Sequence, residues 1–168
     1  MKKLLLVVVV TFAALFPAGA QSGAVAVGPV YSLNVLGITS SPLNGLGITG
    51  KIPGIAPVFG FNFSFSSTAA NFLGLTSDWV LYNQPIYQPW NINFFMGPGV
   101  YTSIYVAPAF GPTSRFDLGL RIPFGVNWTP VKFLEFFVDA TPAFGITFHD
   151  PVTPGWLFQA EAGARVWF

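Results

Sequence analysis

The residues best suited to chemistry lie in the last third of the chain. Asp117, Arg121, Glu135, Asp139, Glu161 and Arg165 stand at even spacings inside otherwise apolar segments. Carboxylates and guanidiniums gathered in one place can neutralise each other through charge-assisted, often bidentate hydrogen bonds. The same groups can also form a path for ions or protons. A second set comprises His149 beside Asp150, with Ser114 and Thr153 as candidate neighbours. Those are the residue types of a hydrolase or acyl-transfer site, yet no spacing rule ties them together, and a lone loop histidine is ordinarily just exposed. One histidine and no cysteine cannot supply a common zinc set. No metal or other cofactor is therefore expected, and no enzymatic activity.

The elements that must position these groups are strands. From Arg115 onward one parity reads Phe116, Leu118, Leu120, Ile122, Phe124, Val126, Trp128, and the other Arg115, Asp117, Gly119, Arg121, Pro123, Gly125, Asn127. Such a period of two belongs to a strand with one apolar face and one polar or small face. The design recurs in 134–148, where Glu135 and Asp139 occupy the sparse face, and in 158–168, where Glu161 and Arg165 do. Earlier segments at 24–35, 46–52, 57–65, 71–82 and 91–106 fit the same scheme, with Phe59, Phe61, Phe63 and Phe65 as the clearest stripe. Eight strands are thus predicted. Pro29, Pro98, Pro123 and Pro142 fall inside them and are expected at bulges, because proline cannot donate to a ladder.

Composition decides what surrounds the strands. The chain is 52% hydrophobic and 17% aromatic but only 8% charged, against roughly 25% charged in ordinary soluble domains. Lys2 and Lys3, an apolar run over 4–16 and Ala18-Gly19-Ala20 read as a secretory signal peptide. Residues 1–20 are accordingly assigned to the signal and 21–168 to a single domain. Beyond the signal five Lys/Arg face six Asp/Glu, which provides no basic patch for nucleic acid. The absence of cysteine excludes a lipid-acylated cysteine anchor and disulfides.

Magnitude then settles which face meets lipid. Turning the six charged residues outward would cost on the order of 10 kcal/mol, from ~2–4 for each midplane arginine and less for each carboxylate. The Phe, Leu, Ile and Val parity must therefore face acyl chains, the inverse of a soluble lipocalin-like barrel. Strands in hydrocarbon also need closure, since no water is available to an open edge. The expected fold is an all-β, eight-stranded antiparallel transmembrane β-barrel with both termini periplasmic. Trp79, Tyr82, Trp90, Trp128 and Trp167 would then lie near the periplasmic rim, and Tyr105, Phe148, Trp156 and Phe158 near the outer one.

The C-terminal Ala162-Gly163-Ala164-Arg165-Val166-Trp167-Phe168 resembles the signal that outer-membrane barrels present to the barrel-assembly machinery, with Ala164, Val166 and Phe168 on its apolar face. In size the chain resembles the OmpX and OmpA membrane-domain class. The run 118–127 (LGLRIPFGVN), followed by 135–142 (EFFVDATP), is similar to a spirochaetal family of short outer-membrane barrels of unassigned function. These resemblances imply residence in the outer membrane, lipid contact, and handling by periplasmic chaperones and the assembly machinery. They transfer no catalytic residue.

Inside the barrel, a hairpin turn at 129–132 would set Arg121 opposite Asp139, and the connection after Phe148 would set Arg165 opposite the same carboxylate. Asp78 and Lys51 are candidates to join. An eight-stranded barrel is just wide enough to be filled by side chains, so this network is expected to plug the lumen together with Phe95, Tyr101 and Phe137. The function expected is a structural or surface-interaction barrel, monomeric, with an extracellular host factor as the partner to seek. A narrow solute pore ranks second and a lipid-modifying enzyme third.

Overall fold

The computed structural model describes residues 25–37, 44–52, 57–64, 71–106, 115–148 and 150–168. The signal segment, the connections at 38–43, 65–70 and 107–114, and the candidates Ser114 and His149 lie outside them. Eleven strands follow in order: β1 (Ala26–Gly37), β2 (Gly45–Lys51), β3 (Pro57–Ser64), β4 (Asn71–Trp79), β5 (Tyr82–Tyr87), β6 (Ile92–Met96), β7 (Gly99–Val106), β8 (Arg115–Arg121), β9 (Phe124–Val131), β10 (Leu134–Phe148) and β11 (Thr153–Trp167). Three consecutive pairs, β4/β5, β6/β7 and β8/β9, are the two parts of single long staves, so the wall has the eight staves predicted. All neighbours are antiparallel, and β11 pairs with both β10 and β1, which closes the sheet into a barrel. At the seam Ala26 stands opposite Trp167, and the Phe168 N–H donates to the Val25 carbonyl over 2.9 Å.

Inside and outside are sorted as the parity requires. Ser32, Thr49, Asn62, Thr76, Ser103, Asp117, Arg121, Glu135, Gln159 and Arg165 are buried, while Leu75, Leu118, Leu120, Val138 and Phe144 are among the exposed. β10 and β11 each run for 15 residues, about 50 Å of strand. At the usual tilt of roughly 35–45° that length crosses a ~25 Å apolar band with residues to spare. No helix among the described residues is long and apolar enough to cross a membrane.

The prolines correct one expectation. Pro29 pairs opposite Ile48 and Pro142 opposite Phe158 with no register shift at either, so neither marks a bulge. The shifts in these two staves occur instead at Asn34/Leu36 and Leu134/Phe136. Pro98 and Pro123 sit where staves are interrupted, and together with Pro142 they form a diagonal line across adjacent staves. Each offers its carbonyl to the next stave: Trp79 N–H donates to Pro98, Gly97 to Pro123 and Ile122 to Pro142, over 2.8–3.2 Å. Proline fits there because an interruption leaves its missing donor unneeded. β9 also continues to Val131 and β11 starts at Thr153, so the connections at 129–132 and 149–155 are shorter than expected.

Aromatic rings gather at both ends of the wall. Trp128 stacks on Phe136 at 5.6 Å and Tyr82 meets Phe94 edge-on at 6.0 Å at one end, and Phe116 meets Phe148 at 5.8 Å at the other. Trp90 lies on a short 3-10 turn, Gln88–Trp90, at the tip of the β5–β6 hairpin, at the end of the wall where the termini lie.

The wall polarity yields a direct check. Leu75, at the centre of β4 and 52% exposed, should tolerate Ala in lipid vesicles but lose roughly 2–4 kcal/mol as Leu75→Arg. Denaturant titration of the reconstituted chain, followed by heat-modifiable gel migration, reads both. An arginine there without penalty would mean that water, not lipid, covers this face.

Candidate functional site

The candidate site is the lumen, built by the inward parity of every stave. All six charged residues singled out above are buried there, joined by Lys51, Asp78 and Arg115. Of the Asp, Glu, Lys and Arg residues among those described, Lys132 and Asp150 alone lie in turns rather than strands. A buried charge is tolerable only when paired and hydrogen-bonded, and the pairing is specific.

Arg121, 1% exposed, is the hub of the middle. Its Nε lies 3.0 Å from Asp78 Oδ1 and its Nη2 3.1 Å from Glu161 Oε2. Nη1 donates to Gln159 Oε1 and Glu161 Oε1, both over 3.2 Å. The chain of contacts continues around the wall, since Ser32 donates to Glu161 over 3.1 Å and Asn62 to Ser32 over 3.2 Å.

A second cluster lies at the end where the termini meet. Arg165 Nη1 donates to Glu135 Oε1 over 2.6 Å, and Lys51 Nζ reaches the same oxygen over 2.7 Å. Arg165 also donates to the Thr49 hydroxyl and stacks 3.8 Å over the Phe137 ring, a cation–π contact. At the opposite end Ser103 donates to Asp117 over 3.0 Å, and Arg115 lies 3.8 Å from the same carboxylate.

These contacts replace the pairing expected from the sequence. Arg121 stands opposite Ala143, and Arg165 opposite Glu135, so Asp139 is not held between two guanidiniums. The reason is register. The β9–β10 turn is the two residues Lys132 and Phe133, and β11 begins earlier than supposed, so each pairing slides by about four residues. Asp139 instead faces Glu161 across β10 and β11, accepts a 2.8 Å bond from Thr141, and has no ion pair among the described residues.

Apolar side chains fill what the ions leave. Phe95, Phe137 and Val30 form one cluster, and Tyr101, Ala143 and Leu157 another. Phe137 lies flat over Gly163, its cross-strand partner, where a Cβ would come within 2.6 Å of the ring. The cavity left among Thr49, Asn62, Thr76, Asp78, Asp139 and Glu161 is about 30 Å³, room for one or two waters. The buried polar residues missed by sequence reading, Ser32, Thr49, Thr76 and Ser103, all lie on earlier strands and share the inward parity. Extending the alternation through those less regular strands would have found them.

Among the described residues no group of three or more His, Cys, Asp or Glu could hold a metal ion. No family model and no curated protein matches the chain. Among solved structures it is similar to Neisserial surface protein A, NspA, with a TM-score of 0.55 and 16% identity over 88% of this chain and 98% of that one. Ail, the attachment invasion locus protein of Yersinia pestis, aligns over 88% of this chain and all of its own with 14% identity and a TM-score of 0.43. The NspA likeness establishes the fold, a small closed outer-membrane-type barrel, and at 0.43 the Ail likeness carries no argument. The resemblance to a spirochaetal family gains no support from these comparisons.

The two carboxylates Glu135 and Asp139 should respond oppositely to neutralisation. Glu135→Gln strands Arg165 and Lys51 without their anion and should cost roughly 3–5 kcal/mol. Asp139→Asn keeps an acceptor for Thr141 and relieves a like-charge cross-strand pair, so stability should hold or rise by about 0.2–1 kcal/mol. Equal losses in a denaturant titration would show that Asp139 has a cationic partner after all.

Proposed function

We propose that the protein is an integral outer-membrane barrel with a sealed lumen, acting structurally or by interaction at the cell surface rather than by conduction or catalysis. Both termini face the periplasm in this reading, and the connections at the opposite end face outward. The observation that carries it is the packing of the lumen. Ion pairs and rings fill the interior, and the cavity among Thr49, Asn62, Thr76, Asp78, Asp139 and Glu161 has room for one or two waters. NspA, the solved structure of like fold, is by its name a surface protein, which supports a role at the exposed face. Lipids are the constant partner, the monomer suffices to close the wall, and the candidate external partner is a host factor met by the outward connections.

Assembly belongs to the same reading. Ala164, Val166 and Phe168 share the outer parity of β11 and its end, next to the seam that closes the barrel. That half-buried apolar row is the segment we assign to recognition by the assembly machinery.

Planar-bilayer recording of purified protein should show no reproducible single-channel steps, and uniform open steps would replace the sealed barrel with a pore. Intact cells carrying the protein should capture a soluble host factor, and exchange of residues 107–114 or 38–43 for short glycine-serine connections should abolish capture. Binding that survives both exchanges would remove the surface-interaction half of the proposal. Deleting Phe168 should lower the folded, heat-modifiable fraction in cells while leaving refolding in detergent intact.

A further inference from the structure

We propose that the β5–β6 hairpin, Tyr82–Met96, is a membrane-surface anchor that docks into the phospholipid headgroup layer at the end of the barrel where the termini lie. This inference rests on the membrane reading of the barrel and concerns the ends of two of its staves, β4/β5 and β6/β7. β3 begins at Pro57, opposite Trp79. Past that point β5 is hydrogen-bonded to β6 on one side and, among the described residues, to no strand on the other. The hairpin therefore extends the sheet outward from β9, and β5 is its last strand among the described residues.

Its surface fits neither bulk water nor hydrocarbon. All six residues of β5 and the three of the tip turn are exposed. Leu81, Trp90 and Ile86 are exposed by 73%, 63% and 60%. An edge strand in water is normally protected by charge, yet residues 79–114 contain no Asp, Glu, Lys, Arg or His. Hydrocarbon suits it no better, because among the described residues the outer edge of β5 has no strand partner, and such an edge meets no donors or acceptors there.

What remains is the interfacial layer, where phosphate, glycerol and water oxygens are at hand. Tyr82, Tyr87 and Trp90 interleaved with Asn83, Gln84, Gln88 and Asn91 are the amphipathic rings and amides that settle in that layer. Tyr87 and Trp90 brace each other edge-on at 5.8 Å. The lipid-facing wall runs into the hairpin without a charged break, through Met96 opposite Phe124 and Ile92 opposite Trp128. Lys132, exposed in the adjoining turn, adds a cation for lipid phosphate.

The chain has no cysteine, so single cysteines can be introduced into the full chain at Gln84, Ile86 and Trp90 and labelled with a nitroxide. Leu75→Cys serves as the hydrocarbon reference and Asp150→Cys as the aqueous one. The labelled chains are reconstituted into vesicles of dioleoylphosphatidylcholine and dioleoylphosphatidylglycerol, and heat-modifiable migration verifies each barrel. The expected result is a several-fold loss of collision with an aqueous nickel chelate relative to Asp150→Cys, with oxygen collision between the two references. Nickel collision equal to that at Asp150 would place the hairpin in water and overturn the proposal. Low collision with both reagents would show cover by protein, a second copy or an extended peptide, and would overturn it equally. Loss of heat-modifiable migration across all variants and the parent would instead remove the membrane reading beneath it. Gln84→Cys and Ile86→Cys replace exposed side chains, so the test does not depend on Trp90→Cys folding.

Discussion

A strand surrounded by hydrocarbon has nothing outside the protein with which to satisfy its N–H and C=O groups. Closure is therefore the constraint from which the rest of this structure follows. Pairing of β11 with β1 removes the edge, and once the sheet is a cylinder each side chain points either to lipid or to the axis. The chain holds enough Phe, Leu, Ile and Val to cover one surface and few charges to place on the other. Those charges cannot be left alone in a narrow interior, and they are neutralised within it.

Parity was legible because it needs only local information. From Arg115 to Trp128, and again through β10 and β11, the alternation names the inward residues one by one, and burial follows it. Register was not legible. It depends on where a turn falls, and a turn of Lys132 and Phe133 in place of a longer one moved the partner of Arg121 from Asp139 to Ala143. The lumen contacts were hidden for a different reason. Asp78 and Arg121 lie on β4 and β8 and meet over Gly99 of the intervening β7, and no pattern along the chain reports which inward residues meet over a neighbour.

The proline line shows the same limit of local reading. Taken singly, Pro98, Pro123 and Pro142 each argue against a regular strand. Only the assembled sheet shows that they fall beside one another, each carbonyl receiving a neighbour's N–H where the ladder pauses. An apparent defect in three separate segments is one continuous feature of the wall, and it parts β7 and β8 from β6 and β9.

Several lumen contacts cross the place where the first and last strands join. Lys51 to Glu135, Arg165 to Thr49 and Ser32 to Glu161 all connect β1 or β2 with β10 or β11. None of them can exist in a hairpin or in a half-curled sheet. An incomplete barrel would carry its arginines and carboxylates unmatched toward a membrane, so the ionic interior works as a latch: it rewards only the finished ring, at one stagger of its staves, and leaves every partly wound form without reward.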